Sequence, residues 1–230
     1  MGIRALSREE VRSIDAKAAV ELGLPTLLLM ENAGQGAAAL IRELAGGPVK
    51  VAVVCGAGNN GGDGGVVARH LDGWGFTVKV VWLAAAGAVS GDAGVQRLIL
   101  EKSGIDQVHW PEPTAAELAG LWNWSDWVVD GLLGTGLSRP LEGVLHAVVE
   151  SLNASDRPVV ALDIPSGLDA DTGKPLGLAV RARATATFVA PKLGFDAAGA
   201  ADYTGEVRVV DIGLPRVALA AFGGGIVKGS

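Results

Sequence analysis

The chain has 230 residues, 49% of them apolar and 19% charged, with a net charge of −6, so it can bury a sizeable core and is no disordered tail. The acidic balance, with no run of Lys and Arg and no basic patch interleaved with aromatics, argues against a nucleic-acid-coating surface. Despite 34 glycines, apolar runs such as VVWLAAAGAV at 80–89 fall far short of the about 20 residues that span a bilayer, so no membrane association is expected.

The opening MGIRALSREE lacks a long apolar segment, and Leu6 stands where N-myristoylation needs Ser or Thr. No export signal or lipid anchor is read there, and a cytoplasmic location is the expectation. Ser7-Arg8-Glu9-Glu10 is a capping-box pattern that predicts a helix over 8–22, broken by Leu24-Pro25-Thr26. LLLMENAGQGAAALIREL follows with apolar residues at three- and four-residue spacing and predicts a second helix, ended by Gly46-Gly47-Pro48. From there apolar, β-branched runs alternate with helical segments: VKVAVV, a helix over 63–72, TVKVVWL, a helix over 91–103, DWVVD, a helix over 141–152 and PVVALD. This βαβ rhythm predicts a mainly parallel sheet with helices on both faces. ATATFVA at 184–190 and EVRVVDIG at 206–213 are expected to extend it, giving a single domain over 1–230. Residues from about 216 on are read as a tail of uncertain order, and the final FGGGIVKGS, without periodicity, as a frayed end or an appended remnant.

CGAGNNGGDGG, at 55–65, follows the first strand. Gly56, Gly58 and Gly61 satisfy GxGxxG, which after a strand and before a helix suggests a phosphate at a helix N-terminus. A dehydrogenase-type site also needs an acid near the end of the second strand, where this chain has Leu83-Ala84-Ala85. The mononucleotide P-loop fails as well, because no Gly-Lys-Ser/Thr follows and Asp63 would repel a phosphate pressed into the same turn. The loop therefore holds something besides phosphate. WVV and VVAL end in Asp130 and Asp163, and in a parallel sheet such ends open onto one crevice, so Asn59, Asn60, Asp130, Asp163 and Ser166 are expected to face one another. Amide, carboxylate and hydroxyl oxygens form a hard donor set, for which an alkali cation is the expectation, ahead of magnesium. Gly134-Thr135-Gly136-Leu137-Ser138-Arg139-Pro140, read as a turn entering a helix, offers amides, hydroxyls and a guanidinium as the second half of a pyrophosphate clamp.

Each of these has a bland reading: Asn and Asp among glycines form turns, strand-end aspartates cap helices, and Arg139 alone is a solvated charge. The coincidence of three such loops on one sheet edge speaks against it. Cys55, the single cysteine, permits no intrachain disulfide, fits a reducing compartment and is read as a small buried hydrophobe. Trp122, Trp124 and Trp127 are expected at a rim or on a partner subunit, and His70, His109 and His146 show no metal spacing and carry no chemistry.

Taken together, GAGNNGGDG, DGLLGTGLSRP, LDIPSGLDADTG and APKLGF, preceded by LMENAG and followed by VVDIGLP, resemble the NAD(P)H-hydrate epimerase family, also called the YjeF N-terminal domain family, over about residues 8–215. The resemblance implies a three-layer αβα Rossmann-like fold with two N-terminal helices, a homodimer and one potassium ion per subunit. Substrate contacts would come from Asn59, Asn60, Gly61, Gly62 and Asp63, from Gly134 to Pro140, and from Asp163, with potassium on Asn60, Asp130 and Ser166. The implied reaction interconverts the R and S hydrates of NADH and NADPH (NADHX and NADPHX) at C6 of the nicotinamide ring. Asp163 would act as acid or base, with Lys192 favouring its charged form or orienting the oxygen. The implied functional partner is an ATP- or ADP-dependent dehydratase, separate or fused. A competing class is a non-catalytic binding or scaffold module of the same fold, and a dehydrogenase is disfavoured by the missing ribose acid. No loop shows a clear 2′-phosphate pocket, and the expected dimer surface is the pair of N-terminal helices with Leu27, Leu28 and Met30.

Overall fold

The computed structural model describes residues 4–220, apart from the side chain of Asp15. The FGGGIVKGS segment lies outside them, whereas Arg216–Leu219 form a short helix, α8, that packs against the first helix.

Two helices open the fold, α1 (Arg8–Glu21) and α2 (Thr26–Ala45). The capping box is formed: Ser7 Oγ accepts from Glu10 N–H, and Ser7 N–H donates to the Glu10 carboxylate. Strands and helices then alternate as β1 (Lys50–Cys55), α3 (Asn59–Gly73), β2 (Thr77–Trp82), α4 (Gly91–Ser103), β3 (Gln107–His109), α5 (Ala115–Trp124), β4 (Trp127–Gly131), α6 (Gly143–Asn153) and β5 (Val159–Leu162). The chain closes with β6 (Ala184–Phe188), the one-turn α7 (Ala201–Thr204) and β7 (Glu206–Val210) ahead of α8.

All seven strands are parallel, in the order β3-β2-β1-β4-β5-β6-β7. The chain grows outward from β1 through β2 to β3, then crosses to β4 on the other side of β1. The crevice of such a sheet opens at that reversal, above the carboxyl ends of β1 and β4. Alternation along β1 divides the core: Val51, Val53 and Cys55 pack under the first four helices, and Ala52 and Val54 under α5 and α6.

Some boundaries depart from expectation for clear reasons. α3 begins at Asn59 rather than 63, because its poor helix-forming glycines are kept for close packing. A Cβ on Gly34 of α2 would stand 2.4 Å from Val66 Cβ, and one on Gly62 would stand 2.5 Å from Met30 Cε. Gly61 is held tighter still, 1.9 Å from Gly56 O by the same construction. β3 and α5 went unread: the strand has three residues, and α5 ends in the tryptophan-rich stretch. Trp122 is not at a rim but buried, donating to Ser151 Oγ at 2.9 Å. Trp124 and Trp127 are partly buried under the Lys79 and Arg183 cations. Of the residues expected on a dimer face, Met30 belongs to the core, while Leu28 stays 48% exposed.

Candidate functional site

β1 ends at Cys55, and Gly56 N–H continues the ladder by donating to Gly131 O at 3.0 Å. A side chain on Gly56 would meet Leu132 O at 2.1 Å, so glycine here lets the β1 and β4 loops touch. Burial, reinforced by Asp63 and Asp130, pushes the Cys55 thiol far above its ordinary range, which leaves it an inert packing group. Asn59 and Asn60 form the first residues of α3. Asn59 is exposed, whereas Asn60 is buried and its side-chain Nδ2 has no hydrogen-bond partner among the described residues. Asp63, also buried, follows on the same side of the helix.

At the end of β4, Asp130 is fully buried. Its Oδ1 accepts from Ser166 Oγ at 2.7 Å and from Leu132 N–H at 3.2 Å, and its Oδ2 from Ser166 N–H at 2.8 Å. Burial raises its pKa to about 6, against the pull of those three bonds. Ser166 Oγ also accepts from Leu133 N–H at 2.9 Å, stitching the β4 and β5 loops together.

Asp163, one residue past β5, sits at φ 65°, and only Val189, at 69°, shares that left-handed backbone among the described non-glycine residues. Its Oδ1 lies 2.6 Å from Lys192 Nζ and accepts from Phe188 N–H at 3.3 Å. Lys192 is fully buried, and its ammonium donates further to Thr187 Oγ1, Phe188 O and Ala190 O at 2.9, 3.0 and 3.2 Å. A buried ammonium is tolerated only when paired and hydrogen-bonded in this way. Lys192 is not among the residues that line the cavity and stands behind Asp163.

These loops wall a cavity of about 720 Å³ at the reversal point of the sheet. Of the expected substrate contacts, Asn59, Asn60, Asp63, Gly134, Thr135, Gly136 and Asp163 line it. A Cβ on Gly134 would stand 3.6 Å from both Asn60 Oδ1 and Asp163 Oδ2, so the missing side chain leaves the two polar groups facing across a small gap. Gly61 and Gly62 are packed inside α3, Leu137 joins the core beneath α5 and α6, and Ser138, Arg139 and Pro140 are exposed outside the cavity wall. Nor does their turn enter a helix, because α6 starts only at Gly143 behind an N-cap at Glu142. Asp130 and Ser166 lie beneath the wall rather than on it.

Two contributors escaped the sequence reading. Arg12 of α1 lines the cavity, and so does Asp92 of α4, which accepts a hydrogen bond from Thr26 Oγ1. Leu83-Ala84-Ala85 at the end of β2 carries no acid, and the carboxylate on this side of the cavity, Asp92, stands in the first turn of the next helix. Only an Asp in the first turn of a helix that follows β2 could have signalled it.

Among the described residues no helix is long and apolar enough to cross a membrane. Comparison with known proteins gives a consistent family. An NAD(P)H-hydrate epimerase of Rhodopirellula baltica is 46% identical over 215 residues, covering 93% of this chain and 86% of that protein. The bifunctional NAD(P)H-hydrate repair enzyme Nnr of Thermofilum pendens is 46% identical over 210 residues, 91% of this chain but only 40% of the longer protein. The crystal structure of yeast ynu0, YNL200c, superposes with a TM-score of 0.80 over 96% of this chain and 94% of its own at 22% identity, which shows the shared fold. The family model described as YjeF-related protein N-terminus matches residues 26–194, and the chain belongs to that family.

Proposed function

We propose that this chain is an NAD(P)H-hydrate epimerase, an isomerase that interconverts the R and S hydrates of NADH and NADPH. The observation that carries the reading is Asp163, turned into a cavity of dinucleotide size at the sheet reversal and backed by the Lys192 ammonium at 2.6 Å. The epimerase named among its relatives supports the same substrate class.

The hydrated ring carries a hydroxyl on C6, next to the ring nitrogen. The nitrogen lone pair expels that hydroxyl, and water adds back from the other face, with no redox change. Asp163 serves the face it borders, taking a proton from the water that enters there. By microscopic reversibility it returns that proton to the hydroxyl that leaves there, while the oxygen that leaves or enters on the opposite face exchanges its proton with solvent water, so the protons balance. Lys192, saturated by four acceptors, transfers no proton; it holds Asp163 in place and supplies its counter-charge. Asn59, Asn60, Asp63 and the Gly134–Gly136 turn position the nucleotide.

The donor set fits a potassium ion on Asn60, Asp130 and Ser166. Asp130 is a fully buried carboxylate met by a hydroxyl and two amides but by no cationic side chain among the described residues. Asn60 keeps a buried amide whose Nδ2 has no partner among the described residues, and its oxygen and nitrogen assignments are interchangeable at a flip. When bound, the ion would supply the missing positive charge beside the nucleotide. A homodimer through Val20 and Leu28, exposed on the N-terminal helices, and a dehydratase partner complete the reading.

The test is incubation with pure S hydrate and chromatographic measurement of R hydrate, with potassium and with a potassium-free buffer. Growth of the R epimer above the spontaneous rate, faster with potassium, is expected; decay curves identical to the blank would favour a scaffold.

A further inference from the structure

Arg12 is the one cationic side chain lining the cavity among the described residues, and it faces three carboxylates that line the same space, Asp63, Asp92 and Asp163. Its neighbours on the N-terminal segment are neutralised, Arg4 by Glu10 and Arg8 by Asp169. Arg12 shares neither of these acids. Its guanidinium lies over the glycine turn instead, since a Cβ on Gly136 would stand 3.8 Å from Arg12 Nη2. Beneath it, the backbone N–H groups of Gly134, Thr135 and Gly136 have no acceptor among the described residues. A guanidinium and three open amides converging in an otherwise acidic cavity form an anion cradle.

The helix that carries Arg12 is held in register with the catalytic segment. Val11 and Ile14 on either side of it are buried in the core. Just before α1, Leu6 N–H donates to Pro191 O at 2.8 Å, and Leu193 N–H donates to Leu6 O at 2.9 Å, so the main chain flanking Lys192 clamps the start of the helix. The position of Arg12 relative to Asp163 is thus set by backbone as well as by packing.

Resting on the epimerase reading, we infer that Arg12, rather than Arg139, binds a phosphate of the dinucleotide, together with the Gly134–Gly136 amides. Dinucleotide phosphates are the anions this substrate class brings, and without Arg12 they would meet no cationic side chain on the described cavity lining of a chain of net charge −6.

The experiment compares wild type, Arg12→Gln, Arg12→Lys and Arg139→Gln by steady-state kinetics with NADHX and with NADPHX, and by calorimetric titration with ADP-ribose. For Arg12→Gln the KM is expected to rise roughly tenfold or more, with a parallel loss of ADP-ribose affinity, while kcat changes by less than about twofold. Arg12→Lys recovers part of the loss and reduces the fork to a point charge. An equal rise with both hydrates assigns the pyrophosphate; a rise with NADPHX alone assigns the 2′-phosphate. Unchanged KM and ADP-ribose affinity in Arg12→Gln, above all if Arg139→Gln raises them, overturns the inference. Should the wild type bind ADP-ribose in an Arg12-dependent way yet epimerise neither hydrate, the activity reading falls and the phosphate contact stands.

Discussion

Two aspartates end neighbouring parallel strands at the same edge of the sheet, and the fold treats them in opposite ways. Asp163 receives a complete ammonium, itself saturated by a hydroxyl and two carbonyls, and keeps one carboxylate oxygen toward the cavity. Asp130 receives only dipoles, a serine hydroxyl and two backbone amides, and has no exposure at all. Strand position alone therefore does not decide what a strand-end carboxylate does. What decides it is whether a later segment, here the 187–192 turn, brings a cation behind it. The first arrangement is built to hold a charge at a fixed place next to substrate; the second leaves a charge deficit that a small cation can fill.

Removing either member of the charged pair should have the largest effect. Asp163→Asn is expected to lower epimerisation about 10²- to 10⁴-fold, the usual contribution of a positioned acid or base, with a much smaller change in hydrate KM. Rates near wild type would remove Asp163 from the chemistry. Lys192→Met tests the pair as structure, since it strands a mostly buried carboxylate, and urea unfolding should show a loss of about 3–5 kcal/mol. If the pair acts as a unit, the Asp163→Asn/Lys192→Met double variant regains much of that stability while remaining inactive; simple additivity of the two losses would contradict direct coupling.

The Asp130 side of the comparison is sharpened by pH. Its folded pKa, about 6, lies above the ordinary 3.8, so the fold favours the neutral acid. The contribution of that acid is fully present below about pH 4 and is lost as pH rises through 6, a penalty of about 3 kcal/mol in potassium-free buffer. Potassium bound at Asp130 would offset this loss, so KCl in place of choline chloride should raise Tm at pH 8 and do little at pH 4.5. Asp130→Asn should flatten both the pH slope and the potassium response. A wild type whose Tm is the same in both salts at pH 8 would leave Asp130 without the proposed ion.

The contrast was partly legible in the sequence. Apolar runs ending in Asp130 and Asp163 gave strands and a shared edge, because burial on both faces writes a continuous hydrophobic signal. Lys192 was visible only through the APKLGF resemblance, and its burial was not, since nothing local to that segment says that a lysine points inward. Arg12 and Asp92 were missed because their place in the cavity depends on how α1 and α4 dock, a tertiary fact with no local pattern. The glycines of α3 carry a second signal that the sequence does not show. At Gly61 and Gly62 a Cβ has no room, because Gly56 O and the Met30 side chain stand in its place. For α5 the signal was present and overlooked: Thr114 and Glu117 form a capping box.

The smallest expected effect concerns the backbone that makes Asp163 and Asp130 differ. Val189, at φ 69°, is a β-branched residue in a region that L side chains rarely adopt, a strain of about 1–3 kcal/mol. It sits between Phe188 and Ala190, whose carbonyls both accept from Lys192 Nζ, so the left-handed turn lies in the middle of the ammonium cage. Ordinarily Val→Gly destabilises more than Val→Ala, because glycine buries less and gains more freedom on unfolding. Here relief of strain opposes both terms, and Val189→Gly should be at least as stable as Val189→Ala, by roughly 0.5–1 kcal/mol in urea unfolding. The usual order, with alanine clearly the milder change, would mean that the turn is not strained and that the cage around Lys192 forms without backbone tension.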